Sequence, residues 1–214
     1  MKIRKMILGV LMVVASVTTV SSIEPPALLE AYPVEPLNEA EREAISYMLE
    51  EEKVARDVYV ALGETWTTPI FTNIANAEQV HMDRVRELVE RYELPVPSTM
   101  ETPGEFENGE LQDLYNTLTV RGRESYEAAL RVGVTIEETD LADLRTSLEE
   151  VDNADIRAVF DRLVAGSENH LAAFSRQLDT GSASADVGAG AATGRNRRAS
   201  GRVGGNSRGP RSRW

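Results

Sequence analysis

No cysteine occurs among the 214 residues, and there are only two histidines, His81 and His170. The missing thiols exclude a disulfide framework, a cysteine nucleophile, a zinc ribbon and an iron–sulfur centre. Two imidazoles exclude any site built on three or more of them. No Gly-x-Gly-x-x-Gly and no Walker A stretch is present, so a standard phosphate cradle is not expected. No segment sustains the period-two alternation of a half-buried strand, so no sheet is expected either. Lysine is scarce as well: between the two chain ends, Lys53 is the only one.

What is present is acid, unevenly placed. Residues 23–180 carry a net charge of −21, against +3 for residues 1–22 and +6 for residues 181–214. An acidic body excludes non-specific nucleic-acid binding by the domain itself. The basic start, Lys2, Arg4 and Lys5, precedes an apolar run from Met6 to Val20 and the small residues Ser21–Ser22. That order is an export signal over residues 1–22, giving an extracytoplasmic protein, secreted or periplasmic. The alternative is an uncleaved N-terminal membrane anchor. Residues 23–36 read as a linker, residues 37–180 as the folded body, and the Gly/Arg-rich residues 181–214 as a disordered tail. The tail's arginines suit an anionic surface or polymer, or a solvated tail with no partner of its own.

The body has helical periodicity throughout. Asn38, with Glu41 three residues on, caps a first helix that is expected to stop at Gly63. A second starts at Thr68-Pro69 and runs to about Tyr92. A third covers about Ser125–Leu148 and a fourth about Asn153–Leu178. Asn108–Val120 is a shorter extra helix. The prediction is an all-α fold of four long helices, with one long crossover containing the short one. A single long connection is the ferritin-like way to wire a four-helix bundle.

Each long helix carries an apolar stripe at spacings of three and four, interrupted near its middle. The interruptions are Glu52 in the first, Glu78 and His81 in the second, Glu137 in the third, and Ser167 and His170 in the fourth. A carboxylate buried without a partner loses its hydration, so three of them meeting two imidazoles call for a cation. Glu78 and His81, at i and i+3, point the same way from one helix. Tyr59, on the stripe of the first helix, is a packing residue whose hydroxyl can bond a ligand carboxylate. Glu51 lies off the stripe, in an acidic run of the kind that usually forms a solvated face, and is expected to add only screened charge.

The spacings Glu52-x-x-Ala55-x-x-x-Tyr59 and Glu78-x-x-His81 resemble rubrerythrin-type members of the ferritin-like superfamily. Glu51–Tyr59 and Gly166–Leu171 are similar, more particularly, to a secreted ferritin-like family of unknown function. The resemblance implies Glu52, Glu78, His81, Glu137 and His170 as metal ligands, with one or two iron or manganese ions as cofactor. It also implies action on peroxide or dioxygen, or iron handling, with an external electron donor and a homodimer among the partners. The fourth helix departs from the family pattern: Ser167 stands where an acid is needed, and Asp140, one turn after Glu137, is the available substitute. That departure keeps a second reading in view, a non-catalytic binding or structural module with a degenerate metal site.

Overall fold

Asn38 and Glu41 close a reciprocal cap. Asn38 Oδ1 accepts from the Glu41 backbone N–H at 2.8 Å, and Glu41 Oε2 accepts from that of Asn38 at 3.0 Å. Helix α1, Glu39–Trp66, starts there. It does not stop at Gly63 as expected. The chain stays helical to Trp66, whose indole N–H donates to the Gly122 carbonyl at 2.8 Å, and turns at Thr67 with φ 43°. An anchored aromatic in the last turn outweighs a glycine whose local preference is only about 1 kcal/mol against helix.

Four more helices follow: α2, Pro69–Arg91; α3, Gly109–Gly122; α4, Tyr126–Glu150; and α5, Ala154–Asn196. Asn108 and Ser125 cap α3 and α4 through their side chains. The computed structural model describes the backbone of residues 28–196 and side chains over 28–180. The expected export signal, the first part of the linker and the arginine-rich end from 197 lie outside the described residues. Helix α5 differs from expectation: its backbone passes Leu178 and continues beyond Gly181 to Asn196, through a stretch expected to lack structure. Five alanines favour helix in residues 181–196 and four glycines oppose it, so local propensity alone does not account for the extension. Among the described residues there is no strand, and no helix is long and apolar enough to cross a membrane.

The fold is all-helical. α1 packs on α2 and α4 on α5; α1 also touches α4 and α2 touches α5, while α3 lies against α1 and α4. Two separate apolar cores result. One gathers Ile45, Met48, Met82, Leu88, Leu144 and Phe160; the other gathers Val58, Tyr59, Phe71, Ile74, Leu130 and Phe174. Every long helix crosses from one core to the other, and between the cores each turns polar side chains inward: Glu52, Glu78 and His81, Glu137 and Asp140, Ser167 and His170. They form a waist.

The connection between α2 and α4, which holds α3, is fastened to α1 by charged side chains. Glu50 accepts from the backbone N–H groups of Glu107 and Asn108 at 2.7 and 3.1 Å. Lys53, fully buried, donates to Asp57 at 2.8 Å and to the Thr102 and Glu105 carbonyls at 2.9 Å, and lies 4.1 Å over the Phe106 ring. Asp57 in turn accepts from Gly104 N–H at 2.9 Å. The run Glu50-Glu51-Glu52 is therefore not a solvated face; all three are buried. The crossover backbone covers Glu50 and supplies the N–H groups that offset the cost of burying it.

Candidate metal centre

The waist is where the predicted site residues meet. α1 brings Glu52 and Tyr59, α2 brings Glu78 and His81, α4 brings Glu137 and Asp140, and α5 brings Ser167 and His170. Glu52, Glu78 and Glu137 are at most 2 % exposed. Glu78 sits at the middle. Its Oε2 lies 2.7 Å from Nδ1 of His81 and its Oε1 lies 2.9 Å from Nδ1 of His170. Glu52 Oε2 is 3.3 Å from the first ring and Glu137 Oε2 is 3.6 Å from the second. The two imidazoles stand 5.4 Å apart, centroid to centroid. One ligand atom from each of Glu78, His81 and His170 falls within 4.8 Å of the others.

Close packing holds these groups. A Cβ at Gly166 would collide with Nε2 and Cε1 of His81, so α5 approaches the ring edge closely there. A Cβ at Gly133 would meet the Phe174 ring at 2.6 Å. Tyr59 donates to Glu137 Oε1 at 2.6 Å, which leaves Glu137 Oε2 facing His170. Ser167 is buried as a family acid would be, but its hydroxyl is spent on the Leu163 carbonyl at 3.0 Å. Glu168 faces out and pairs with Arg145 at 2.9 Å.

The electrostatics are those of a site short of positive charge. Burial raises Glu52 well above the usual carboxylate range, and Asp140 adds to it, against the pull of His81. Burial pushes Glu137 up to about 7 and Asp140 up to about 6. Glu78, also buried, is nevertheless brought down to about 2 by the two histidines. Burial works against a charged ring at His81 and His170, yet the carboxylates outweigh it: Glu52 and Glu78 carry His81 up to about 11, Glu137 and Glu78 carry His170 up to about 9. Burial and Glu137 keep the Tyr59 hydroxyl protonated.

The donor set fits a metal. Glu52 Oε1, Asp140 Oδ1 and Nδ1 of both histidines are buried with no hydrogen bond of acceptable geometry. The nitrogen–oxygen separations at the two rings are short, but the ring N–H is not aligned with them. Nitrogens and carboxylate oxygens crowded at such distances without alignment are free to turn toward a common ion. Carboxylate oxygens with imidazoles suit iron or manganese.

Glu51 was missed. Expected at the surface, it is 6 % exposed, and it lines one cavity with Glu52, Glu78, Glu137 and Asp140. The signal was there: Ala40, Ala44, Tyr47 and Glu51 recur at spacings of four, three and four, a second stripe on α1.

Residues 41–186 match the family model described as an uncharacterized protein domain, DUF2202. An uncharacterized protein of Methanocaldococcus jannaschii, MJ0754, is 44% identical over 151 residues, covering 71% of this chain and 82% of its own length. The crystal structure of the hypothetical protein MJ0754 from Methanococcus jannaschii superposes with a TM-score of 0.68, covering 69% of this chain and 85% of that one. A DUF305 fragment from Deinococcus radiodurans shares the fold at a TM-score of 0.55 and 13% identity, covering 68% of this chain and 99% of that one. The matched residues span all five helices and the whole polar waist, and on that extent the chain belongs to the DUF2202 family.

Proposed function

We propose that the waist is a metal centre in a ferritin-like four-helix arrangement, and that Glu52, Glu78, His81, Glu137 and His170 hold iron or manganese there. The observation that carries this reading is the buried set of carboxylates and imidazoles whose Oε1, Oδ1 and Nδ1 atoms lack aligned partners. A bound iron or manganese supplies electron transfer toward peroxide or dioxygen, or makes the site one for iron handling. The chain's own residues bind and orient. Tyr59 fixes the Glu137 carboxylate through its hydroxyl, and Glu78 positions both rings. The two apolar cores exclude bulk water above and below. Electrons come from an external donor, since the chain has no cysteine to ligate a redox centre of its own. Export through residues 1–22 places this chemistry outside the cytoplasm.

Ser167 favours a second reading, in which the waist is a proton-sharing polar core and the protein a non-catalytic module. Metal analysis of chain purified without chelator separates the two. Near-stoichiometric iron or manganese is expected, and His81→Ala should lose at least tenfold in affinity, because a direct metal bond is removed. Chain that carries no metal and takes up neither ion on dialysis sinks the metal reading in favour of the module.

A further inference from the structure

The five ligands above leave two buried acids of the same cavity unexplained. Glu51 and Asp140 are each 6 % exposed. Each has one carboxylate oxygen, Glu51 Oε2 and Asp140 Oδ1, shut off from solvent without any partner. The cavity they line is about 20 Å³, enough for one water-sized occupant. The charges acting most strongly on Glu51 are those of Asp140, Asp143 and Glu52, all of its own sign. Lys53, the next residue, is committed to Asp57 and the crossover carbonyls. On the same faces of α1 and α4, toward the start of α1, an acidic groove of about 340 Å³ opens to solvent between Glu43 and Tyr47 on one side and Asp143 and Glu150 on the other.

Resting on the metal reading above, we infer that Glu51 and Asp140 form a second cation subsite on the α1–α4 side of the centre. It supplies the carboxylate that Ser167 withholds on α5, and the acidic groove is the approach to it. Its ligand is a divalent cation that prefers oxygen, because the subsite offers carboxylates and no imidazole of its own. The missing acid has thus been replaced from neighbouring helices: Asp140 of α4 lies against Ser167 itself, and Glu51 approaches Asp140 from α1. Glu51, one residue from Glu52, reaches this position because a step of about 100° around α1 turns it from the α2 side toward α4.

The test uses the full chain and Mn²⁺ as the probe, with stoichiometry read by equilibrium dialysis and melting temperature read in parallel. Wild type should bind two ions per chain. Glu51→Gln and Asp140→Asn should each bind one and keep it, while His81→Ala weakens the ion that those two variants retain. In chelator both amide variants should melt at or above the wild-type temperature, since an amide fills the same space without the cost of keeping a carboxyl among like charges. One ion in wild type, unchanged by either amide, overturns the subsite and leaves the histidine centre standing. No ion in wild type overturns both. A variant that is unfolded in chelator shows its carboxylate to be structural and also overturns the subsite.

Discussion

At the scale of single residues, the centre depends on atoms that are absent as much as on those present. Gly166 has no Cβ because His81 occupies that space. Gly166→Ala should therefore displace the ring that Glu52 and Glu78 hold, and metal affinity should fall by roughly tenfold or more. Helix content should be unchanged, since alanine is the better helix former by about 1 kcal/mol. Unaltered metal binding in a well-folded Gly166→Ala protein would show that α5 tolerates a shift at this point. Protonation is also set residue by residue. In metal-free protein His81, His170, Glu137 and Asp140 all have folded-state values raised above their usual ones, to about 11, 9, 7 and 6. The folded state then binds these protons more tightly than the unfolded chain, and the stability they contribute is lost as pH rises. Glu78, lowered to about 2, acts in the opposite sense, but only below its usual range near 4.5. Between about pH 5 and 9 the melting temperature in chelator should fall steadily. Metal competes with the same protons, so affinity should rise over that range. A chelated protein that gains stability from pH 6 to 9 would contradict the charge balance described for the waist.

At the scale of elements, α1 does two jobs with interleaved residues. Glu52 and Tyr59 serve the waist, while Glu50, Lys53 and Asp57 fasten the crossover. Lys53 and Asp57 are a buried pair with side chains 0% and 4% exposed, and Asp57 is held by Arg56 at 2.7 Å as well, so it is Lys53 whose removal strips the crossover carbonyls of their donor. Lys53→Met should cost about 2 kcal/mol, because the Thr102 and Glu105 carbonyls lose their buried donor while Asp57 keeps Arg56. It should also release the crossover: proteolysis between Ser98 and Asn108 should become fast in the variant and stay slow in wild type. If the variant is destabilised but the crossover remains resistant, the anchorage rests on Glu50 instead. The four long helices and their stripes were legible because burial repeats every three to four residues. The fastening was not. Lys53 and Asp57 at i and i+4 look like any exposed helical pair, and only the return of the chain at 102–108 turns them inward. Glu51 is covered by α3 and α4 instead, and a run of acids declares nothing about what will cover it. The end of α1 was missed because the anchor for Trp66 is Gly122, far along the chain.

At the scale of the whole molecule, the waist divides the hydrophobic interior in two, and its polar side chains come from positions as far apart as 52 and 170. Four helices cross it unbroken, so neither core can open without straining the layer between them. With a cation bound, that layer becomes a non-covalent cross-link joining the first hairpin to the last, and it closes a loop of more than a hundred residues in chain terms. Such a tie acts on the unfolded ensemble as a disulfide does, by removing freedom that the chain would otherwise regain. A protein without cysteine thereby acquires a reversible staple, one set by the surrounding metal concentration rather than by oxidant. On that reading, its lifetime against heat and proteases would report the metal supply.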